Sequence, residues 1–139
     1  MTTREFITKN FGIPSSKEKY CSSVFKDTEG NIFSYGYHYP LLFTVDGVDF
    51  RNVTGYSNTT QRHIMWSRGV EAIDVHIPRR TRLHEITLMN IAKWQQEEID
   101  RQRALMDKKK NKTTQVYRWM LNTMGRLISS QEKVLEACL

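Results

Sequence analysis

Asp46-Gly47 constrains this chain more than any other pair of residues. Leu41, Phe43 and Val45 alternate with Leu42 and Thr44 before it, and Val48 and Phe50 resume the alternation after it. A two-residue hairpin whose twist matches its strands needs positive φ at both turn positions, which Asp and Gly tolerate best. The pattern therefore predicts an antiparallel hairpin, and with it a sheet. Upstream, Ile32 to Tyr37 is dense in aromatic and β-branched residues and reads as a strand. Pro40 lacks an amide hydrogen, so that strand ends there or carries a bulge. Ser22 to Lys26 reads as the strand before it, turning through Asp27 to Asn31. Downstream, Ile73, Val75 and Ile77 alternate with Asp74 and His76, a further strand ended by Pro78.

Between the hairpin and that last strand the chemistry changes. Thr54-Gly55-Tyr56-Ser57-Asn58-Thr59-Thr60-Gln61-Arg62-His63 crowds hydroxyl and amide side chains ahead of Ile64, Met65 and Trp66. Such side chains cap the free amides of a helix N-terminus, which favours a short helix near 59–68 closed by a left-handed Gly69. A strand from Thr60 to Trp66 is the competing reading. Residues 1–21 show no strong period and read as an N-terminal arm. Ser15 and Glu18 have capping-box spacing for one helical turn through Cys21. Residues 22–77 then form an antiparallel sheet of hairpins.

The C-terminal part is of a different kind. Thr81 followed by Glu85 and good helix formers predicts a helix over 83–107, with a sparse stripe of Leu88, Ile91, Ala92, Ile99 and Met106. Gln95 to Glu98 then face water, and Glu97 and Arg101 are spaced for a weak ion pair. After the lysine run, Thr113 or Thr114 caps a second helix over 114–137 with Val116, Met120, Met124, Leu127, Leu135 and Cys138 inward. Two arms of similar length with a short link make an antiparallel helical hairpin. Gly125 lowers the stability of that helix by about 1 kcal/mol relative to Ala unless close packing explains it. The expected fold is a single α+β domain, a small antiparallel sheet followed by this hairpin.

Two motifs stand out, Ser34-Tyr35-Gly36-x-His38-Tyr39-Pro40 and Gly55-Tyr56-Ser57-x-Thr59-Thr60-x-Arg62-His63-Ile64. The pair resembles one found in small uncharacterised proteins encoded by phages, archaeal viruses and plasmids. That resemblance implies an accessory protein of a mobile genetic element, acting in the host cytoplasm. It brings no catalytic residue with it.

Composition narrows the function classes. With 39% apolar and 26% charged residues in 139, the chain is a globular domain able to bury a core of its own. No apolar run reaches the length of a membrane span, and Met1 to Arg4 is not followed by the apolar core of a signal peptide, so a cytoplasmic location and no membrane partner are expected. Cys21 and Cys138 are then free thiols. The formal charge of +6 favours anionic partners and disfavours a protein that imitates nucleic acid. The charge is gathered in two regions. Residues 101–126 hold eight Lys and Arg against Asp107 alone, and residues 51–82 hold six Arg against Glu71 and Asp74.

The candidate site follows from these regions. Arg51, Tyr56, Arg62 and His63 would present charge and a stacking ring, and Lys108, Lys109, Lys110 and Lys112 would grip a phosphate backbone. Ser57, Thr59 and Thr60 at a helix N-terminus could cradle a phosphate, although capping is the ordinary use of such residues. The aromatic run Phe33, Tyr35, Tyr37, Tyr39 lines one strand face, either to stack bases or, more commonly, to build a core. His38 and His63 are the only catalytic candidates, as an acid and base pair. No metal site is expected, because the four histidines lack Cys or carboxylate partners at a recognised interval, and no cofactor is implied. The expected partners are RNA or DNA, or a host nucleoprotein or protein complex, with a homo-oligomer left open. The leading reading is a basic nucleic-acid-binding accessory protein. Its rival is a protein-binding inhibitor of a host defence or regulatory complex, and a metal-independent nuclease comes third.

Overall fold

A computed structural model describes residues 1–109, 112 and 114–139. In chain order the elements are α1 (Thr3–Asn10), β1 (Lys19–Cys21), β2 (Val24–Lys26), β3 (Ile32–Ser34), β4 (Pro40–Val45), β5 (Val48–Asn52), α2 (Asn58–Trp66), β6 (Ile73–Val75), α3 (Leu88–Asp107) and α4 (Gln115–Ala137). The strands lie side by side in sequence order. The α+β class and the C-terminal pair of packed helices are as the sequence predicts.

The Asp46-Gly47 turn sets the register. With φ of 50° and 78° at the two residues, it pairs Val45 with Val48 and Phe43 with Phe50. On the other side of β4, Ile32 pairs with Leu42 while Phe33 pairs with Pro40, so Leu41 is the extra residue of a bulge. A bulge puts consecutive side chains on one face. That is why Leu41 and Leu42 join the same cluster, with Val24, Ile32, Tyr39 and Ile64. Pro40 therefore opens a strand beside the bulge instead of ending one, and β3 stops earlier, at Ser34, because Tyr35 turns away with φ 68°.

The sheet is covered on both faces. Phe6 and Ile7 of α1 and Ile64 of α2 pack against Val24, Ile32 and Leu42. Phe43, Phe50 and Val75 meet Ile86, Ile91 of α3 and Val134 of α4 on the opposite face. Each such aromatic or branched side chain contributes about 2 to 3 kcal/mol by leaving water. Because α2 intervenes between β5 and β6, the chain crosses over and β6 pairs parallel to β5, the one departure from an antiparallel sheet.

Several local expectations change. The N-terminal 21 residues are not an irregular arm but hold α1, capped by Thr2, and the edge strand β1. No helical turn forms at Ser15, whose amide instead donates to the Thr28 carbonyl at 2.9 Å and whose hydroxyl donates to that of Lys17 at 2.7 Å. Lys26 is buried beneath this segment and donates to the Ile13 carbonyl at 2.8 Å. Gly69 does not close α2 in a left-handed conformation, because Ser67 to Gly69 tighten into a 3-10 turn. Thr81 bonds back to the Pro78 carbonyl and a 3-10 turn occupies Leu83–Glu85, so α3 starts later, capped by Thr87.

The helical hairpin is antiparallel. Cys138 Sγ lies 3.7 Å from the Leu88 carbonyl at one end, while Ile99, Met106, Met120, Met124 and Leu127 cluster toward the other. That distal cluster contains no sheet residue, so the tip of the hairpin is held by its own core. Gln95 is fully buried, against expectation, because its Oε1 accepts the His76 amide at 2.6 Å and ties α3 to the chain just past β6. The ion pair on α3 is Glu98 with Arg101 at 2.6 Å, not Glu97 with Arg101. On α4 the buried positions are 120, 124, 127, 131 and 134, a helical stripe that leaves Leu135 one position off and Val116 beyond its covered end. Val116, Leu135 and Cys138 are consequently exposed, and both Cys21 and Cys138 are free thiols.

Candidate nucleic-acid interface

The two motif stretches meet in space. Ser34 Oγ lies 2.6 Å from His63 Nδ1, and the rings of His38 and Tyr56 are 5.5 Å apart. Tyr39 is buried between the stretches and donates to the Thr54 carbonyl at 2.6 Å, and burial pushes its phenol pKa well up. This buried strut holds Tyr56, 39% exposed, at the surface.

A hollow of about 320 Å3 opens there, lined by His38, Tyr56, Arg80 and Arg82. The Arg79 guanidinium sits 6.0 Å from the centre of the Tyr56 ring, at the limit of a cation–π contact. Arg79, Arg80 and Arg82 make no ion pair among the described residues. Arg80 is held at φ 64°, in a turn closed by the Thr81 amide donating to the Pro78 carbonyl at 3.3 Å. That backbone region costs a residue with a Cβ about 1 kcal/mol or more, and Gly is its usual occupant. The chain keeps an arginine where a glycine would be easier.

The predicted site residues divide sharply. Arg51 is 4% exposed and does not face a ligand. Its guanidinium bonds to Ser67 Oγ at 3.0 Å, the Ser67 carbonyl at 2.9 Å, the Val70 carbonyl, and Asp74 at 2.6 Å. It is a clamp between β5, β6 and the turn after α2. His63 is 1% exposed, with Ser23 Oγ 3.1 Å from Nε2 and Ser34 on Nδ1. Burial lowers its pKa, and the ring is a hydrogen-bonded core group. No hydrogen bond or ring contact joins it to His38 among the described residues, and the acid and base pair is not assembled.

Thr60 is buried as well, and the hydroxyl cluster is occupied with capping. Ser57 Oγ accepts the Thr60 amide at 3.1 Å and donates to Thr60 Oγ1 at 3.0 Å. Thr59 is half-exposed and Arg62 is exposed beside this cap. The aromatic run does not share a face. Phe33 stacks on Phe25 at 5.0 Å, Tyr37 packs edge-on against both, Tyr35 turns to solvent and Tyr39 goes inward.

At the hairpin tip Lys108, Lys109 and Lys112 are exposed, while Lys110, Asn111 and the alternative cap Thr113 lie outside the described residues. Lys108 and Lys109 border an apolar hollow with Leu105, Val116 and Trp119. Among the described residues no group of three or more His, Cys, Asp or Glu gathers as metal ligands would, and no helix is long and apolar enough to cross a membrane. Sequence reasoning missed Arg79, Arg80 and Arg82 as site residues. Their spacing after Pro78 is visible in the sequence, but only the turn brings Arg79 over the Tyr56 ring and Arg80 and Arg82 into the hollow beside it. No protein-family model matches the chain, and no curated protein or solved structure matches it.

Proposed function

We propose that this protein binds nucleic acid, with the hollow between His38 and Tyr56 as a docking point for backbone phosphate and an unpaired base. The single observation that carries this reading is the set of three guanidiniums around an exposed tyrosine ring that make no ion pair among the described residues, one of them kept at a backbone angle that disfavours arginine. Strain retained at a charged surface position is a mark of use, since folding alone would favour its removal. Arg62, Lys108, Lys109 and Lys112 extend the positive surface, which speeds encounter with polyanions. The motif pair supports placing this activity among the accessory functions of a mobile genetic element.

The test is a salt titration by fluorescence anisotropy with labelled RNA and DNA. Binding that weakens linearly in log salt is expected, and an affinity undetectable at low ionic strength overturns the reading. One observation favours a second reading, a protein-binding inhibitor of a host complex. Leu105, Val116 and Trp119 are exposed and line one hollow near the hairpin tip. Pull-down from lysate before and after nuclease treatment separates the two, because a direct protein contact survives digestion.

A further inference from the structure

A wider recess of about 1100 Å3 lies elsewhere, between α4 and the chain from α2 to β6. One wall carries Gln61, Arg68 and His76, and the other carries Trp119, Arg126 and Lys133. Arg68 is bound to Asp74, but Arg126 and Lys133 make no ion pair among the described residues. The recess is therefore open, cationic and free of competing carboxylates except one already engaged.

Trp119 is 64% exposed. An indole left in water costs a folded protein surface energy and is a stacking platform when a planar group arrives. Gly125 also lines this wall, and a Cβ built on it would meet nothing within 4 Å. Close packing within the chain does not explain a glycine in the middle of α4. It keeps the wall low where another backbone could approach. From Trp119 to Lys133 the helix runs about 21 Å, with Asn122, Ser129 and Ser130 offering hydrogen bonds between ring and ammonium.

We infer that this recess is a channel for single-stranded nucleic acid, with a base stacked on Trp119 and backbone phosphates on Arg126 and Lys133. The inference rests on the nucleic-acid reading and names its substrate class. Bases in a duplex stack on one another and offer no free face to an indole, whereas an unpaired base offers one. A concave cationic wall follows a flexible backbone, while the exposed Trp119 ring would find no free base face in a duplex.

The experiment uses the full chain, an oligothymidylate and an oligouridylate of about 20 nucleotides, and a duplex of the same length, at one fixed low salt concentration. Single strands are expected to bind at least about tenfold tighter than duplex and to quench tryptophan fluorescence. Trp119→Leu, a change at an exposed position, is expected to lose that quenching and weaken single-strand binding about 5- to 150-fold. Arg126→Glu with Lys133→Glu should weaken it as well and flatten the salt slope. Full affinity in Trp119→Leu overturns the channel alone, and equal affinity for both forms overturns the channel and the unpaired base at Tyr56 while leaving nucleic-acid binding itself intact. No binding of any oligonucleotide overturns both. A lysate protein retained after nuclease treatment by the unaltered chain but not by Trp119→Leu, without oligonucleotide binding, assigns the recess to a protein instead.

Discussion

Arg80→Gly separates stability from binding in opposite directions. The φ of 64° at Arg80 disfavours any residue with a Cβ by about 1 to 2 kcal/mol. Glycine relieves that strain but adds about 0.4 to 1 kcal/mol of unfolded-state entropy. The net is a gain of up to about 1.6 kcal/mol, centred on about 0.8 kcal/mol, which is about 3 °C in Tm for a chain of this size. Binding should move the other way. Losing one phosphate contact to a single strand removes about 0.7 from the log–log salt slope, which at about 0.1 M salt is roughly a fivefold loss of affinity. Thermal melting and anisotropy titrations at several salt concentrations read both quantities from the same preparations. A variant that is less stable refutes the strain argument, since the arginine would then be holding the turn. An unchanged salt slope refutes the assignment of Arg80 to phosphate.

Other perturbations probe the scaffold. Asp74→Ala strips the carboxylate from the buried Arg51 guanidinium at 2.6 Å and should cost about 3 kcal/mol in urea unfolding, while Arg68→Ala, which removes only an exposed partner, should cost less than about 1 kcal/mol. Equal losses would show that the clamp does not depend on Asp74. Gly125→Ala should raise stability by about 1 kcal/mol, because nothing crowds the new methyl, and a loss would reveal packing at that position. Burial lowers the folded-state pKa of His63 and His76 below the usual histidine value, so the unfolded chain binds more protons below about pH 6.5. Stability should therefore fall as pH drops from about 7.5 to 5.5 and level off once the folded-state values are passed, and a urea midpoint that holds or rises over that window would contradict it. Tyr39→Phe should cost about 1 to 1.5 kcal/mol through the Thr54 hydrogen bond, and an unchanged melting curve would show the strut to be dispensable.

Much of the architecture was legible in the chain. The Asp46-Gly47 turn, the strands on either side of it, the Ser57-capped helix and the helical hairpin all follow from local chemistry, because turn φ, alternation and capping act over a few residues. The site was legible only in part. Tyr56, Arg62, Lys108, Lys109 and Lys112 stand at the surface, but Arg51 and His63 are spent inside, and residue type cannot distinguish an arginine that binds phosphate from one that bonds Ser67 and Asp74.

What the sequence by itself determined is the set of elements and the sign of the charge, since each depends on neighbours along the chain. What only the tertiary structure decided is which charges remain free. The bulge at Leu41 and the crossover to a parallel β6 choose which side chains face inward, and with them whether each arginine meets a carboxylate or water. Those choices join residues far apart in sequence, so Tyr56 faces Arg79 to Arg82, and Trp119 shares a recess with Arg68, only after the chain has folded.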